Sequence, residues 1–253
     1  MDVQIFLINL KRANERRKKM FHRMKQLNMA FEYFEAIDGQ TVSDEQIRLK
    51  FDNNFLKNLP AQFTRGAIGA SLSHHSIYEK IVAQKIPWAL ILEDDVILHS
   101  DLHSVLQKVI SEDIEDQLTL FYYQSFDAIK IQNSSSKALF GKFRLYDAPD
   151  QGYNGAAAYL ISEKVASRLL EQTTPIKSYA DDWTHFLKSG CYSKINLIYP
   201  FIVTASLDPS NIASSDNRIV KIINKYKIPV LYWLIKFRRG RMFDKMRRVL
   251  ISD

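Results

Sequence analysis

The sequence predicts an α/β fold built on a mainly parallel central sheet, and three observations carry that expectation. Short apolar runs alternate with longer stretches of helical periodicity over most of the 253 residues, the pattern of strands joined by crossover helices. Residues 88–92, Trp-Ala-Leu-Ile-Leu, are apolar without alternation, which suits a strand covered on both faces. A hydrophobic share of 46% with 25% charged residues is that of an ordinary globular protein with one sizeable core.

Residues 3–10 are the first apolar run, a buried strand, and residues 14–27 form a basic helix with Met20, Met24 and Leu27 as its apolar positions. Lys11, Arg12, Arg16, Arg17, Lys18 and Lys19 crowd its start. Most belong to a solvated face, and one or two near the strand end are placed to meet phosphate. Residues 31–36 read as a second strand, and Ser43 with Gln46 forms a capping box that starts a short helix.

Residues 64–84 follow as a helix with an apolar stripe of Ile68, Leu72, Ile77 and Ile81. Its first turns hold Gly66, Gly69, Ser71, Ser73, His74 and His75, small and polar residues that let a backbone or a ligand approach closely. Adjacent histidines project differently from a helix, which predicts one packed and one exposed rather than a shared metal.

After an acidic strand end, Asp101 caps a helix to about residue 110, residues 118–124 and 128–132 are strands, and residues 133–137 form a serine-rich loop. Residues 151–155, Gln-Gly-Tyr-Asn-Gly, turn into a strand at 156–161, and Ser162 caps a helix to about residue 172. Pro175 breaks the chain, and a short helix opening near Trp183 ends at Gly190. Residues 195–205 are largely apolar with Pro200 interrupting them, and residues 208–217 are a polar loop.

No stretch approaches the ~20 apolar residues of a membrane span, and residues 1–10 lack the basic start and cleavage site of a signal peptide. The expectation is a cytoplasmic chain. Cys191 is the only cysteine, which excludes an intramolecular disulfide and cysteine-rich zinc sites and leaves it as a small packing residue. Residues 218–253 carry eleven Lys or Arg against two Asp, a balance of +9 within a net charge of +7, so the first 217 residues stand at −2. The body is slightly acidic and holds no nucleic-acid motif, so nucleic acid is not an expected partner.

Glu93-Asp94-Asp95 interrupts apolar sequence between Leu92 and Val96. Like charges this close raise one another's pKa, and burial raises them further, so the cluster makes sense chiefly around a cation. Alternation along an extended chain sends Glu93 and Asp95 to one side and Asp94 to the other, so the first two can face one divalent ion. A solvated turn is the competing reading. Strand ends in open α/β sheets are where ligands bind.

The chain has no Gly-x-Gly-x-x-Gly, Walker loop, His-Glu-x-x-His or complete nucleophile elbow. Carboxylates without a glycine-rich phosphate loop imply that an ion itself holds a diphosphate.

Ile8-Asn9-Leu10 with Glu15-Arg16-Arg17, then Phe34-Glu35-Ala36, residues 66–74 ending in Ser73-His74, Leu92-Glu93-Asp94-Asp95-Val96 and residues 155–162 occur in an order that resembles glycosyltransferase family 25. These are the bacterial lipooligosaccharide β-galactosyltransferases and their relatives, and the resemblance covers about residues 3–215. It implies a GT-A type fold, one nucleotide-sugar-binding catalytic domain over residues 1–217; the composition of residues 218–253 separately reads as a basic amphipathic C-terminal helical segment. The resemblance also implies inverting transfer of galactose, or a related hexose, from a UDP-sugar, with Mn²⁺ or Mg²⁺ bound beside the donor diphosphate.

Carried over by position, Asp95 and Glu93 are the metal group and Asp94 lies near the ribose. Asn9, Arg12 and Asp38 are uridine contacts, and Ser73 and His74 line the donor pocket. The chain departs from the family pattern at Glu93, where the common motif begins with Asp, and at Ala158, where relatives often carry Gly before the Tyr.

An inverting transfer needs one base to take the acceptor's proton. Asp181 and Asp182 are the candidates, each with helix capping, worth about 1 kcal/mol, as its competing role; Asp182 is preferred as the base. Tyr153 and Trp183 offer rings for a sugar, and Tyr153, Asn154 and Gly155 are the expected acceptor or sugar contacts.

Residues 228–235 with Tyr232 and Trp233, followed by Lys236, Arg238, Arg239, Arg241, Arg247 and Arg248, suit the anionic cytoplasmic face of the inner membrane, where a lipid-linked oligosaccharide acceptor would lie. A metal-dependent nucleotidyltransferase or phosphohydrolase is the alternative that uses the same carboxylates.

Overall fold

The computed structural model describes residues 3–59, 63–112, 114–206 and 246–252. Strands β1 (Gln4–Asn9), β2 (Glu32–Glu35), β3 (Trp88–Glu93), β4 (Val96–Leu98), β5 (Gln117–Leu120) and β6 (Ile129–Gln132) occupy the first half with helices α1 (Asn14–Gln26), α2 (Asp44–Lys50), α3 (Asn53–Lys57), α4 (Arg65–Ala83) and α5 (Leu102–Ile110). Strands β7 (Lys137–Phe140), β8 (Phe143–Asp147), β9 (Ala158–Ser162), β10 (Lys194–Tyr199), β11 (Val203–Ala205) and β12 (Val249–Ser252) follow, with helices α6 (Glu163–Gln172) and α7 (Trp183–Lys188).

Eight strands form one sheet in the order β2-β1-β3-β9-β5-β10-β8-β7. β1 pairs in parallel with β2 and β3, and β5 with β10, whereas β9 and β8 run against their neighbours. The fold is therefore mixed α/β with most strands co-directional. The β7–β8 hairpin, joined through Gly141 at φ +56°, was not expected, because its pattern buries only Leu139, Phe143, Leu145 and Tyr146.

Alternation along the central strands sorts the core into two layers. Ile5, Leu7, Leu90 and Leu92 pack with Met20 and Met24 of α1 and Val105, Leu106 and Val109 of α5. Phe6, Ile8, Ala89 and Ile91 pack on the other face with Ile77 and Ile81 of α4, Val165 and Leu169 of α6, and Trp183 of α7. Cys191 is buried in that second layer, as a packing residue should be. The Ser43–Gln46 capping box is formed in both directions.

Both adjacent histidines of α4 are buried, which corrects the expectation of one exposed. The helix is covered on two sides: His74 faces β9, and His75 Nδ1 lies 3.0 Å from Thr173 Oγ1 beyond the end of α6.

Gly69 explains why small residues open α4. A Cβ there would lie 2.6 Å from the backbone N of Gly39 and closer still to the carbonyl of Ile37, while one on Gly39 would strike the carbonyl of Arg65. Ser73 fastens the same contact, accepting from Ile37 N–H at 2.8 Å and donating to Gly69 O at 2.7 Å. Gly69→Ala should therefore destabilise the protein by about 3 kcal/mol despite the better helix propensity of alanine, read as a lowered urea midpoint. An unchanged midpoint would mean that α4 does not press on the 37–39 loop.

Residues 249–252 form a strand within the segment 218–253 that was expected to be helical, and most of that segment lies outside the described residues. β12 pairs in parallel with β6, from Val249 opposite Ile129 to Ser252 opposite Gln132, which satisfies an otherwise open edge with a short apolar segment. Residues 207–245, with Tyr232 and Trp233, lie outside the described residues. Among the described residues no helix is long and apolar enough to cross a membrane.

Candidate active site

β1 and β3 are adjacent and parallel, with Ile8 opposite Glu93, so their carboxyl ends deliver Asn9 and Glu93-Asp94-Asp95 to one edge. β3 ends at Glu93, and residues 94–95 are a turn before β4, so strand alternation does not continue through them. Asn9 is buried and its amide donates to Asp94 Oδ2 at 2.6 Å. Arg16 Nη1 donates to Asp94 Oδ1 at 2.9 Å and lies 3.2 Å from Asp95 Oδ2. The expectation that Asp94 points away from Asp95 is thereby corrected, since one guanidinium nitrogen touches both. Asp94 has each oxygen engaged by protein and so supports the turn.

Burial, and after it the charge of Glu93, pushes the Asp95 carboxyl up to about 7 against the pull of Arg16. Arg16 was hidden among six basic residues. Its signal was helical spacing: Arg16, Met20 and Met24 stand four apart, and only the two methionines read as inward. Arg23, seven residues on, donates to the carbonyl of Val96, so this face of α1 clamps the whole acidic turn.

Glu93 faces α4. His74 Nε2 lies 3.7 Å from Glu93 Oε1, its Nδ1 is 2.7 Å from the hydroxyl of Tyr159, and that hydroxyl is 3.1 Å from the hydroxyl of Tyr78. A proton on Nε2, toward the carboxylate, leaves Nδ1 to accept from Tyr159, which in turn accepts from Tyr78. This buried relay holds the His74 ring against Glu93; from sequence Tyr159 stands out only as the residue after Ala158 in a family motif, and Tyr78 does not stand out.

Asp181 completes this side. Its Oδ2 accepts the Gly155 N–H at 2.7 Å, while Trp183 Nε1 donates to the Gly155 carbonyl at 3.2 Å. Gly155 sits at φ +98°, and a Cβ there would lie 2.6 Å from the Tyr122 ring, so a side chain is excluded by conformation and by space. Burial raises the Asp181 pKa, Glu93 raises it further, and the Gly155 N–H and His74 oppose them. The carboxylate therefore feels both Glu93 and His74. Asp182 stands at the N-cap position of α7, yet its side chain makes no capping hydrogen bond. Tyr192 feels its charge, whereas Tyr179 feels Asp181 more strongly than Asp182.

Other expected contacts lie elsewhere. Tyr153 is buried in the second core layer and donates its phenol to Pro149 O at 2.9 Å, and Trp183 is fully buried. Neither ring is open to a sugar, which corrects that reading: the turn that carries Tyr153 folds inward. Asn154 exchanges both backbone hydrogen bonds with Gln124, at 2.9 and 3.0 Å, and its side chain is half-buried. Arg12 pairs with Asp38 beyond the ends of β1 and β2. Ser73 has its hydroxyl occupied by the Ile37 and Gly69 backbone, so it positions the 37–39 loop instead of lining a pocket.

The donor set at the edge is hard oxygen, which suits Mg²⁺ or Mn²⁺ rather than softer metals. Among the described residues no group of three or more His, Cys, Asp or Glu side chains converges to hold a metal ion. Glu93 and Asp95, whose charges act on one another, are the residues that could contribute to holding such an ion.

A mixed α/β sheet with a carboxylate turn at the end of a central strand defines a ligand-binding α/β protein. The chain belongs to glycosyltransferase family 25, whose model, described as "Glycosyltransferase family 25 (LPS biosynthesis protein)", matches residues 2–184. It is 32% identical over 175 residues to a glycosyltransferase 25 family member of Aedes aegypti, covering 66% of this chain and 28% of that one. It is 31% identical over 123 residues to human procollagen galactosyltransferase 2, covering 46% of this chain and 19% of that one. The chain thus spans less than a third of the length of these relatives. A solved glycosyltransferase involved in glycosylation of the major capsid of PBCV-1 is 9% identical, covers 78% of this chain and 81% of its own, and superposes with a TM-score of 0.36.

Proposed function

We propose that this protein is an inverting, metal-dependent glycosyltransferase of GT-A type that moves a hexose, galactose from UDP-galactose in the first instance, onto a saccharide acceptor with β linkage. The observation that carries the reading is that Glu93 and Asp95 stand at the end of β3 while Asp181 holds Gly155 just before the adjacent strand β9, within a family 25 chain. Glu93 and Asp95 would hold Mn²⁺ or Mg²⁺ together with the donor diphosphate. When bound, the ion stabilises the negative charge that develops on the leaving diphosphate.

The chain's own residues do the rest. Arg16 and Asn9 fix the acidic turn, and His74, held by Tyr159, orients Glu93. Asp181 takes the proton from the acceptor hydroxyl as that oxygen attacks the anomeric carbon. Its raised pKa makes it a stronger base than a solvated aspartate, and the Gly155 N–H fixes one oxygen so that the other meets the acceptor.

The relatives named as galactosyltransferases support galactose as the sugar. The family description, with its lipopolysaccharide biosynthesis, supports a lipid-linked oligosaccharide acceptor. The basic residues from Arg218 to Lys245 would attach the protein to the anionic cytoplasmic face of a membrane.

Calorimetric titration of UDP-galactose, UDP-glucose and UDP-N-acetylglucosamine, with Mn²⁺ and with chelator, followed by product analysis, tests the reading. Metal-dependent binding that ranks UDP-galactose first, with sugar transferred only when an acceptor is present, is the expected result. Release of free sugar or phosphate without an acceptor would favour a phosphohydrolase.

A further inference from the structure

We propose that Arg247, carried in by the last residues of the chain, is a phosphate-binding residue of this same active site, so that the C-terminal strand completes the donor pocket. The inference rests on the glycosyltransferase reading above and extends it to a residue far from the family motifs, outside the matched residues 2–184.

Three observations support it. First, the backbone on either side of Arg247 is tied to the body: Ser125 N–H donates to Met246 O and Ile129 N–H to Arg248 O, both at 2.8 Å, and β12 continues the attachment along β6. A basic residue needed only for solubility has no reason to be anchored on both sides.

Second, the side chain turns inward and is half-buried. Its guanidinium carbon stands 3.7 Å from the centroid of the Phe201 ring and 5.7 Å from that of Tyr122. Stacking uses the face of a guanidinium, whereas its N–H donors lie in the plane, so a stacked arginine is oriented to present a fork of donors edge-on to an anion.

Third, Tyr122 links it to the site. This ring is the one that packs on Gly155, whose N–H is held by Asp181. The Tyr122 phenol is raised chiefly by burial, and it feels Arg247 in one sense and Glu93 and Asp95 in the other. The guanidinium and the carboxylates therefore flank the same residue. A diphosphate whose oxygens meet an ion at Glu93 and Asp95 carries more negative charge than that ion cancels, and Arg247 offers the balancing cation.

The test is titration of UDP and of uridine, in Mn²⁺, into the full chain and its Arg247→Met and Arg247→Lys variants. Methionine keeps an apolar stem against Phe201 and removes the charge. Arg247→Met should weaken UDP roughly 10- to 100-fold, the worth of a charge-assisted contact, and leave uridine unchanged; Arg247→Lys should recover part of the loss. An equal loss for UDP and uridine would show a structural role and overturn the proposal. Unchanged UDP affinity in Arg247→Met would overturn it while the glycosyltransferase reading stood. If Arg247→Met does not fold, Arg247→Lys decides, by whether UDP alone is weakened. No UDP binding by the wild type would remove the underlying reading and this inference with it.

Discussion

Asp95→Asn should abolish metal-dependent donor binding and cut transfer at least about 100-fold, because an ion that offsets leaving-group charge contributes several kcal/mol to the transition state. The substitution should also make the metal-free protein more stable at pH 8. The sign follows from linkage. Burial and then Glu93 raise the folded carboxyl to about 7 from an ordinary value of 3.8. Between those values the native state keeps a proton that the unfolded chain releases, so stability falls as pH rises from 3.8 toward 7 and stays low above it. An amide removes that penalty. Asp95→Asn is then a variant that loses function while gaining thermal stability in chelator, and Mn²⁺ should stabilise the wild type but not the variant. The measurement is the melting temperature at pH 8 with and without Mn²⁺, beside donor titration. Equal stabilisation of both proteins by Mn²⁺ would place the ion elsewhere.

The contrast with Asp94 sharpens this test. Asp94 is held by Asn9 and Arg16, so Asp94→Asn removes one partner of a largely buried pair and should cost stability. Two neighbouring aspartates with opposite signs of effect separate a ligand-facing group from a structural one.

The acidic turn was legible in sequence because three carboxylates between Leu92 and Val96 conflict with the apolar run, and a local conflict of that kind marks function. The partners that make it work were not. Arg16 reads as one of six solvated cations until β1 and α1 are laid beside β3, and the contact joins residues 78 and 79 positions apart. Tyr153 shows the opposite failure. A Gly-Tyr-Asn-Gly turn looks exposed by composition, yet its ring fills the core, because turn chemistry fixes backbone direction and says little about which side chain is inward. The β7–β8 hairpin was missed since Gly141-Lys142 lacks the Asn-Gly signature of a two-residue turn. β12 was missed because strand pairing with β6 is decided by an edge that periodicity does not reveal. The strands β1 and β3 and the helix α4 were read correctly because their apolar patterns are long and the helix cap is explicit.

Asp181→Asn should lower kcat by 10²- to 10⁴-fold, the usual worth of a general base, while leaving the dissociation constant for UDP within about twofold. Asparagine keeps an oxygen to accept the Gly155 N–H that Asp181 Oδ2 accepts at 2.7 Å, so the loop stays anchored and the lost quantity is basicity. Asp182→Asn, with no capping hydrogen bond to lose, should change kcat little. This reverses the preference drawn from sequence, where the two neighbours differ only in their distance from Trp183. The structure separates them by environment: Asp181 is raised by burial and by Glu93 and accepts the Gly155 N–H, and Asp182 makes no capping hydrogen bond. The pH profile gives an independent readout. A base must be deprotonated to act, so kcat/KM should rise with pH through a limb lying above the ordinary carboxylate range. Removing the like charge with Glu93→Gln should move that limb toward lower pH in whatever residual activity remains. A profile flat from pH 5 upward, or a collapse of kcat in Asp182→Asn with Asp181→Asn active, would assign the proton transfer to another group.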